Sequence, residues 1–223
     1  MKKAAQPETI SPEVAAELEA GLEALHIKTS AEQRSRLLQY LQLLNKWNAS
    51  FNLSGVTEIN DMVSLHLLDS LALSPYLQGE YFVDAGTGAG LPGIPLAILH
   101  PEKQFTLIDS NGKKTRFLFQ VKLALNLGNV TIENCRIEHY QSPLQIDMVM
   151  CRAFSSLEDT VSKTQQLLAK GCKLLAMKGR FPEEEITRLP PPFAVIAIAK
   201  LEIPGSDSQR HVIEIGLANK SPI

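Results

Sequence analysis

The sequence predicts an α/β protein: a seven-stranded sheet, five strands parallel and the last two an antiparallel hairpin, preceded by an N-terminal helical cap. Three observations carry this. Residues from about 11 to 78 follow a helical rhythm. From Tyr81 onward, short apolar strands alternate with helical segments, the pattern of a parallel sheet with helices on both faces. The final two strand candidates are joined by a turn too short for a parallel crossover. The expected division is a cap over residues 1–78 and a sheet domain over residues 79–223.

In the cap, Ser11, Pro12 and Glu13 supply an N-cap, a proline at the first helical position and an acid in the first turn. Ser30 and Gln33 form a capping box. Behind it Leu37, Leu41, Leu44 and Asn48 fall on one stripe, with Leu38 beside them. A third helix is expected from about Asn60 to Leu73, stopping before Pro75. Strands are expected at Tyr81–Asp84, Gln104–Asp109, Val130–Glu133, Ile146–Met150 and Cys172–Met177. Helices over Lys114–Leu125 and Leu157–Ala169 separate some of these, and Pro182 starts another at Glu183. Phe193–Ile203 and His211–Leu217, joined by the turn from Pro204 to Gln209, make the hairpin. That ending is a feature separating methyltransferase sheets from dinucleotide-binding ones.

Composition narrows the class. Apolar residues make up 44% and charged residues 21% of 223 residues, an ordinary globular balance. The net charge of -2 gives no global pull toward a polyanion, so a nucleic-acid partner needs a local basic patch. Cys135, Cys151 and Cys172 lack metal-ligand spacing and read as reduced thiols. Lys2 and Lys3 are followed at once by Gln6, Pro7 and Glu8, which leaves no apolar run for a signal peptide. A cytoplasmic monomer without a metal or a membrane partner is the expectation.

The chemistry is announced by VDAGTGAGLPG, residues 83–93. Two templates fit. Gly88, Gly90 and Gly93 satisfy G-x-G-x-x-G, and Asp84, Gly86, Gly88 and Gly90 satisfy D-x-G-x-G-x-G. Both place bare backbone at a strand-to-helix turn, and both expect an acid at the end of the second strand for ribose hydroxyls. Asp109 supplies it. Asp84 separates the templates, because a carboxylate there repels a pyrophosphate and favours a cation. S-adenosylmethionine carries an ammonium and a sulfonium and no phosphate. A charge pair at 4 Å is worth about 1 kcal/mol in water and about 4 kcal/mol at an effective dielectric near 20. A P-loop is disfavoured: Gly112, Lys113, Lys114 and Thr115 mimic its tail, but Leu107 stands where its first glycine belongs.

DAGTGAGLPGIPLAI, FTLIDSNGKKTRFL, CRIEHY and DMVMCRAFSSL, with KWNASFNL and HLLDS in the cap, resemble the RsmG family, also called GidB. The similarity covers nearly all of the chain after about residue 25. It implies a Rossmann-like class I methyltransferase that moves a methyl group from S-adenosylmethionine to N7 of one guanine in bacterial 16S rRNA of the small ribosomal subunit. It further implies donor contacts at Gly86 and Leu91 in the glycine loop, at Ile137 and Glu138 after the third strand, and at Arg152 after the fourth. Asp84, Gly88 and Asp109 join this cofactor-binding set from the loop pattern itself. The chain departs from relatives at Leu65, where a basic residue is usual, at Cys151, where serine is common, and at Ala89, where some members have proline.

Guanine N7 has a lone pair and no proton to lose, so transfer to it requires no general base. No N/D-P-P-Y/F motif follows the fourth strand, so methylation of a base amino group is not signalled. No catalytic base is therefore assigned. Arg152 and Lys178 are expected to position substrate, because their strands point at the pocket. Lys113, Lys114, Arg116, Arg136, Arg180, Arg210 and His211 are further candidates for RNA contact. Trp47 reads as packing, and His66 with Asp69, which share a helical face, as either a local hydrogen bond or a contact between cap and sheet. The alternatives are a methyltransferase acting on another RNA or a small molecule, a nicotinamide dinucleotide oxidoreductase, and a donor-binding RNA or assembly factor without catalysis.

Overall fold

The computed structural model describes residues 10–152 and 155–218. Lys2, Lys3 and the ends of the two expected units lie outside the described residues. Helix α1 (Pro12–Ala24) is capped by Ser11, whose hydroxyl accepts from the Val14 N–H. Helix α2 (Ala31–Phe51) starts on the expected capping box, with Ser30 and Gln33 bonded reciprocally at 3.1 and 2.8 Å. The predicted stripe is its buried face, and Tyr40 joins it. Gln33 also donates to the carbonyls of Ile98 and Leu99, tying the start of the cap helix to the sheet domain.

The third helix is broken rather than continuous. Helix α3 (Ile59–Met62) widens into a π segment, Val63–Leu68, and resumes as α4 (Asp69–Leu71) before a 3₁₀ turn at Ser74–Tyr76. Wide turns leave carbonyls for outside partners and often mark functional positions. Here Ser70 donates to His66 O at 2.6 Å and Arg152 to Leu65 O at 2.9 Å. His66, Asp69 and Ser70 all point inward.

The sheet contains β1 (Tyr81–Ala85), β2 (Gln104–Ile108), β3 (Val130–Glu133), β4 (Met148–Arg152), β5 (Lys173–Lys178), β6 (Phe193–Leu201) and β7 (Arg210–Leu217). Their order is β3-β2-β1-β4-β5-β7-β6. The first five are parallel, and β7 runs antiparallel to both β5 and β6, as expected. The fourth strand runs Met148–Arg152 instead of Ile146–Met150. Asp147 is drawn into the turn instead, its carboxylate accepting from the N–H groups of Glu80 and Tyr81. Arg152 is thereby a strand residue, in register with Met177.

Side-chain alternation splits the core. One face, with Phe82, Phe105, Leu107, Met150 and Met177, packs against the cap helices, α5 (Gly93–Leu99) and α6 (Gly112–Ala124). The other, with Val83, Ile108, Val149, Leu174 and Ile213, packs against α7 (Leu157–Leu168). The short α8 (Glu183–Thr187) begins after Pro182 as predicted. Each fully buried Leu or Phe contributes about 1.5–3 kcal/mol, so the cap is held by a core it shares with the sheet. No helix among the described residues is long and apolar enough to cross a membrane.

Candidate active site

The glycine loop leaves β1 at Gly86 and enters α5 at Gly93. One buried carboxylate braces it. Asp84 Oδ2 accepts from the Thr87 hydroxyl at 2.7 Å and from the Gly93 N–H at 2.8 Å. A Cβ on Gly93 would stand 2.1 Å from Leu107 Cδ2 and 2.7 Å from Asp84 Oδ2, so only glycine lets helix and strand meet here. At Gly90 (φ +95°) a Cβ would meet Ile94 at 2.5 Å. Tyr40 holds the loop from the cap, its hydroxyl donating to Ala89 O at 2.8 Å. Leu91 is buried within the loop.

Asp84 does not meet a ligand cation in the open, contrary to the simplest reading of the sequence. It is wholly buried, lies outside the walls of the open cleft, and its Oδ1 has no partner among the described residues. Burial pushes its pKa up to about 6, against the bonds from Thr87 and Gly93 and the charge of Arg152. Asp84 also occupies the Gly93 N–H, the group that a pyrophosphate at the start of α5 would need.

A cleft of about 360 Å³ opens at the carboxyl ends of β1, β2 and β3. Of the predicted donor residues it brings together Gly86, Asp109, Ile137 and Glu138, with Lys114 and Arg136 from the predicted basic set. Asp109 accepts from the Gly88 N–H at 3.0 Å and the Asn111 N–H at 2.8 Å, and Lys114 lies 3.6 Å away. It thus ties the glycine loop to the start of α6, and a carboxylate keeps further lone pairs for a ligand. Ile137 is fixed by Gln166, which donates to its carbonyl at 2.7 Å, while Glu138 is exposed. Sequence reasoning missed Ser110, Cys135 and Lys163 as lining residues. It also missed Thr87 and Tyr40 as braces, although Thr87 lies inside the motif and Tyr40 continues the stripe three residues after Leu37.

Arg152 and Lys178 belong to a second cavity, of about 310 Å³, between the cap and the ends of β4, β5 and β7. Val56, Leu65 and Met177 form its apolar wall. Asp69, 1% exposed, takes Arg152 on one oxygen at 2.6 Å and Arg210 on the other at 2.7 Å. His66 lies 2.7 Å from Ser54 Oγ and 3.3 Å from Arg152. Burial and the Arg152 charge lower its pKa to about 4, so it is neutral at pH 7. Lys178 pairs with Glu185 at 2.7 Å and donates to Ser155 O at 2.6 Å. The expected contact of His66 and Asp69 between cap and sheet is present, and it carries two arginines. Burial pushes the Cys151 thiol up to about 12, unsuited to nucleophilic attack.

Lys113, Arg116, Arg136 and Arg180 are exposed. Trp47 stacks on Phe51 with ring centroids 5.0 Å apart and tilts against Phe117 of α6 at 5.6 Å, which makes it a packing residue.

The chain is similar to known proteins. The ribosomal RNA small subunit methyltransferase G of Pseudomonas aeruginosa is 48% identical over 198 residues, 88% of this chain and 92% of its own length. That of Hahella chejuensis is 43% identical over 199 residues, 89% and 92% of the two chains. The crystal structure of magnesium protoporphyrin IX methyltransferase from Synechocystis, with bound SAM, shares the fold at a TM-score of 0.54 and 17% identity, covering 79% of this chain and 97% of that one. The family model described as rRNA small subunit methyltransferase G matches residues 33–213, and the chain belongs to that family.

Proposed function

We propose that the protein transfers a methyl group from S-adenosylmethionine to N7 of a guanine in 16S rRNA of the small ribosomal subunit. The observation that carries the donor assignment is Asp84. It fills the amide site at the head of α5 with a carboxylate, keeps one buried oxygen without a partner among the described residues, and so suits a cationic ligand over a diphosphate. Membership of the family supports the RNA substrate.

The donor supplies an electrophilic methyl group on a sulfonium. Around it the chain binds and orients. Gly86 offers bare backbone to the methionine portion, with Gly88 and Leu91 shaping the loop above Asp84. Asp109, held by two N–H groups, presents its remaining lone pairs to ribose hydroxyls. The Ile137 amide and the Glu138 carboxylate suit the adenine edge, whose N1 accepts and whose amino group donates. Arg152 and Lys178 position the acceptor from the neighbouring cavity. Because N7 has no proton to remove, rate comes from orientation and exclusion of water, a source able to supply roughly 7–11 kcal/mol. Residues 1–78 act as the cap that completes the acceptor side, and residues 79–223 as the catalytic unit.

Two measurements test this. A thermal shift with S-adenosylhomocysteine is expected and one with NAD is not; stabilisation by NAD alone rejects the donor. Labelled donor with unmodified 16S rRNA or small subunits is expected to mark a guanine at N7. Label on an adenine or a cytosine carbon overturns that assignment, and donor binding without transfer favours a non-catalytic role.

A further inference from the structure

Phe51, Phe119 and Phe181 are exposed aromatics among the described residues, and Phe181 is the one near the second cavity. Phe181, 48% exposed, follows β5 by three residues, and its ring stands 5.7 Å from that of His211, edge-on at 70°. The pair adjoins the second cavity through the chain neighbours Lys178, Gly179 and Arg210, which line it. Gly179, which lines that cavity, accepts from His211 Nδ1 at 3.1 Å, and Lys178 faces His211 across the β5–β7 ladder. Arg180, exposed, and Arg210, on the cavity wall, flank the two rings in sequence.

Resting on the methyltransferase reading above, we propose that the Phe181–His211 pair is a stacking platform for a nucleotide next to the target in single-stranded RNA, with the target base turned into the cavity between cap and sheet. Three features carry this. A ring left open beside a basic residue at a concave site matches the way proteins take splayed-out bases, stacking one face and reading the edge of another. Arginines and Lys178 outnumber the carboxylates around the cavity, three (Arg152, Lys178, Arg210) against two (Asp69, Glu185), which suits a phosphate-bearing strand. The cavity also suits guanine with N7 uncovered. An arginine fork free to move reads guanine by covering O6 and N7 together. Asp69 accepts one N–H from each guanidinium and so restrains both, which leaves N7 uncovered. The apolar wall of Val56, Leu65 and Met177 gives a flat base its faces.

The test uses the full chain with labelled S-adenosylmethionine and 16S rRNA, comparing wild type with Phe181→Ala, Phe181→Leu and Phe181→Trp. Loss of one base–aromatic stack is expected to raise KM for RNA about tenfold in the alanine and leucine variants. With the interaction made equally in ground and transition state, kcat stays within about twofold. Tryptophan restores the wild-type KM. The thermal shift by S-adenosylhomocysteine is the same in all four proteins, which excludes a general structural effect. Wild-type transfer with KM unchanged in Phe181→Ala, or a leucine variant as good as wild type, overturns the platform and leaves the methyltransferase reading standing. Absence of transfer in the wild type overturns both.

Discussion

The two cavities on the carboxyl edge of the sheet are built by opposite means. The proposed donor cleft over β1–β3 rests on a glycine loop braced from beneath by Asp84 and tied to α6 by Asp109, both accepting from main-chain N–H groups and Asp84 also from a threonine hydroxyl. The second cavity is made of long side chains, with Asp69 of the cap clamping Arg152 of β4 and Arg210 of β7. The first is lined by residues of the sheet domain alone, from Gly86 to Lys163. The second exists only when cap and sheet are docked. A small donor of fixed shape suits the former, and a flexible polymer that must be gripped by charge suits the latter.

Breaking the clamp should have the largest effect. Asp69→Ala leaves two guanidiniums beside the cavity without their buried counter-charge, and about 3 kcal/mol of stability should be lost in chemical denaturation. A loss below 1 kcal/mol would mean that the arginines find solvent or another partner. Next comes the loop: Gly93→Ala forces a methyl group against Leu107 and Asp84, for about 2 kcal/mol and loss of donor binding. Retained affinity for S-adenosylhomocysteine in that variant would show that the loop is less tightly braced than its contacts suggest.

Tyr40→Phe removes one hydrogen bond and leaves the Ala89 carbonyl without its buried donor, for about 1 kcal/mol. Donor affinity should weaken more than RNA affinity, and equal weakening of both would blur the division between the cavities. The smallest effect is a pH dependence. The folded-state pKa of Asp84 is raised, so its contribution to stability is fully present below the ordinary carboxylate value near 4 and is lost as pH rises through about 6. The stability of wild type relative to Asp84→Asn should therefore fall between about pH 4 and pH 6. Denaturation midpoints measured across that window check the sign. Donor affinity should drop in the same variant with the fold intact.

The contrast also explains what could be read from residues alone. The glycine loop is local: Asp84, Gly86, Gly88 and Asp109 announce themselves by spacing, because backbone geometry restricts which residues a loop accepts. The closing hairpin follows from its short connection. The second cavity is non-local. Asp69 finds Arg152 across 83 residues and Arg210 across 141, and no spacing rule encodes that meeting. The π segment escaped for a related reason: its residues continue the apolar pattern of the helix, and only the inward turn of His66, Asp69 and Ser70 reveals it. The later start of β4 falls at Asp147, whose backbone already bonds to Tyr81 and Lys173 while its carboxylate accepts from the Glu80 and Tyr81 N–H groups, contacts made only when β1 and β5 flank it. Asp84 was found correctly as an acid beside the loop. Its burial was not, because the Thr87 and Gly93 donors that draw it under the backbone appear only on folding.

The most direct test varies donor and RNA independently in steady-state methyl transfer to 16S rRNA, using Glu138→Ala on one side and Arg180→Ala on the other. Both residues are exposed, so neither variant disturbs the core. The account predicts a raised KM for donor alone in the first, and a raised KM for RNA with a shallower salt dependence in the second. A donor KM that rises in Arg180→Ala, or an RNA KM that rises in Glu138→Ala, would contradict the assignment of two substrates to two cavities.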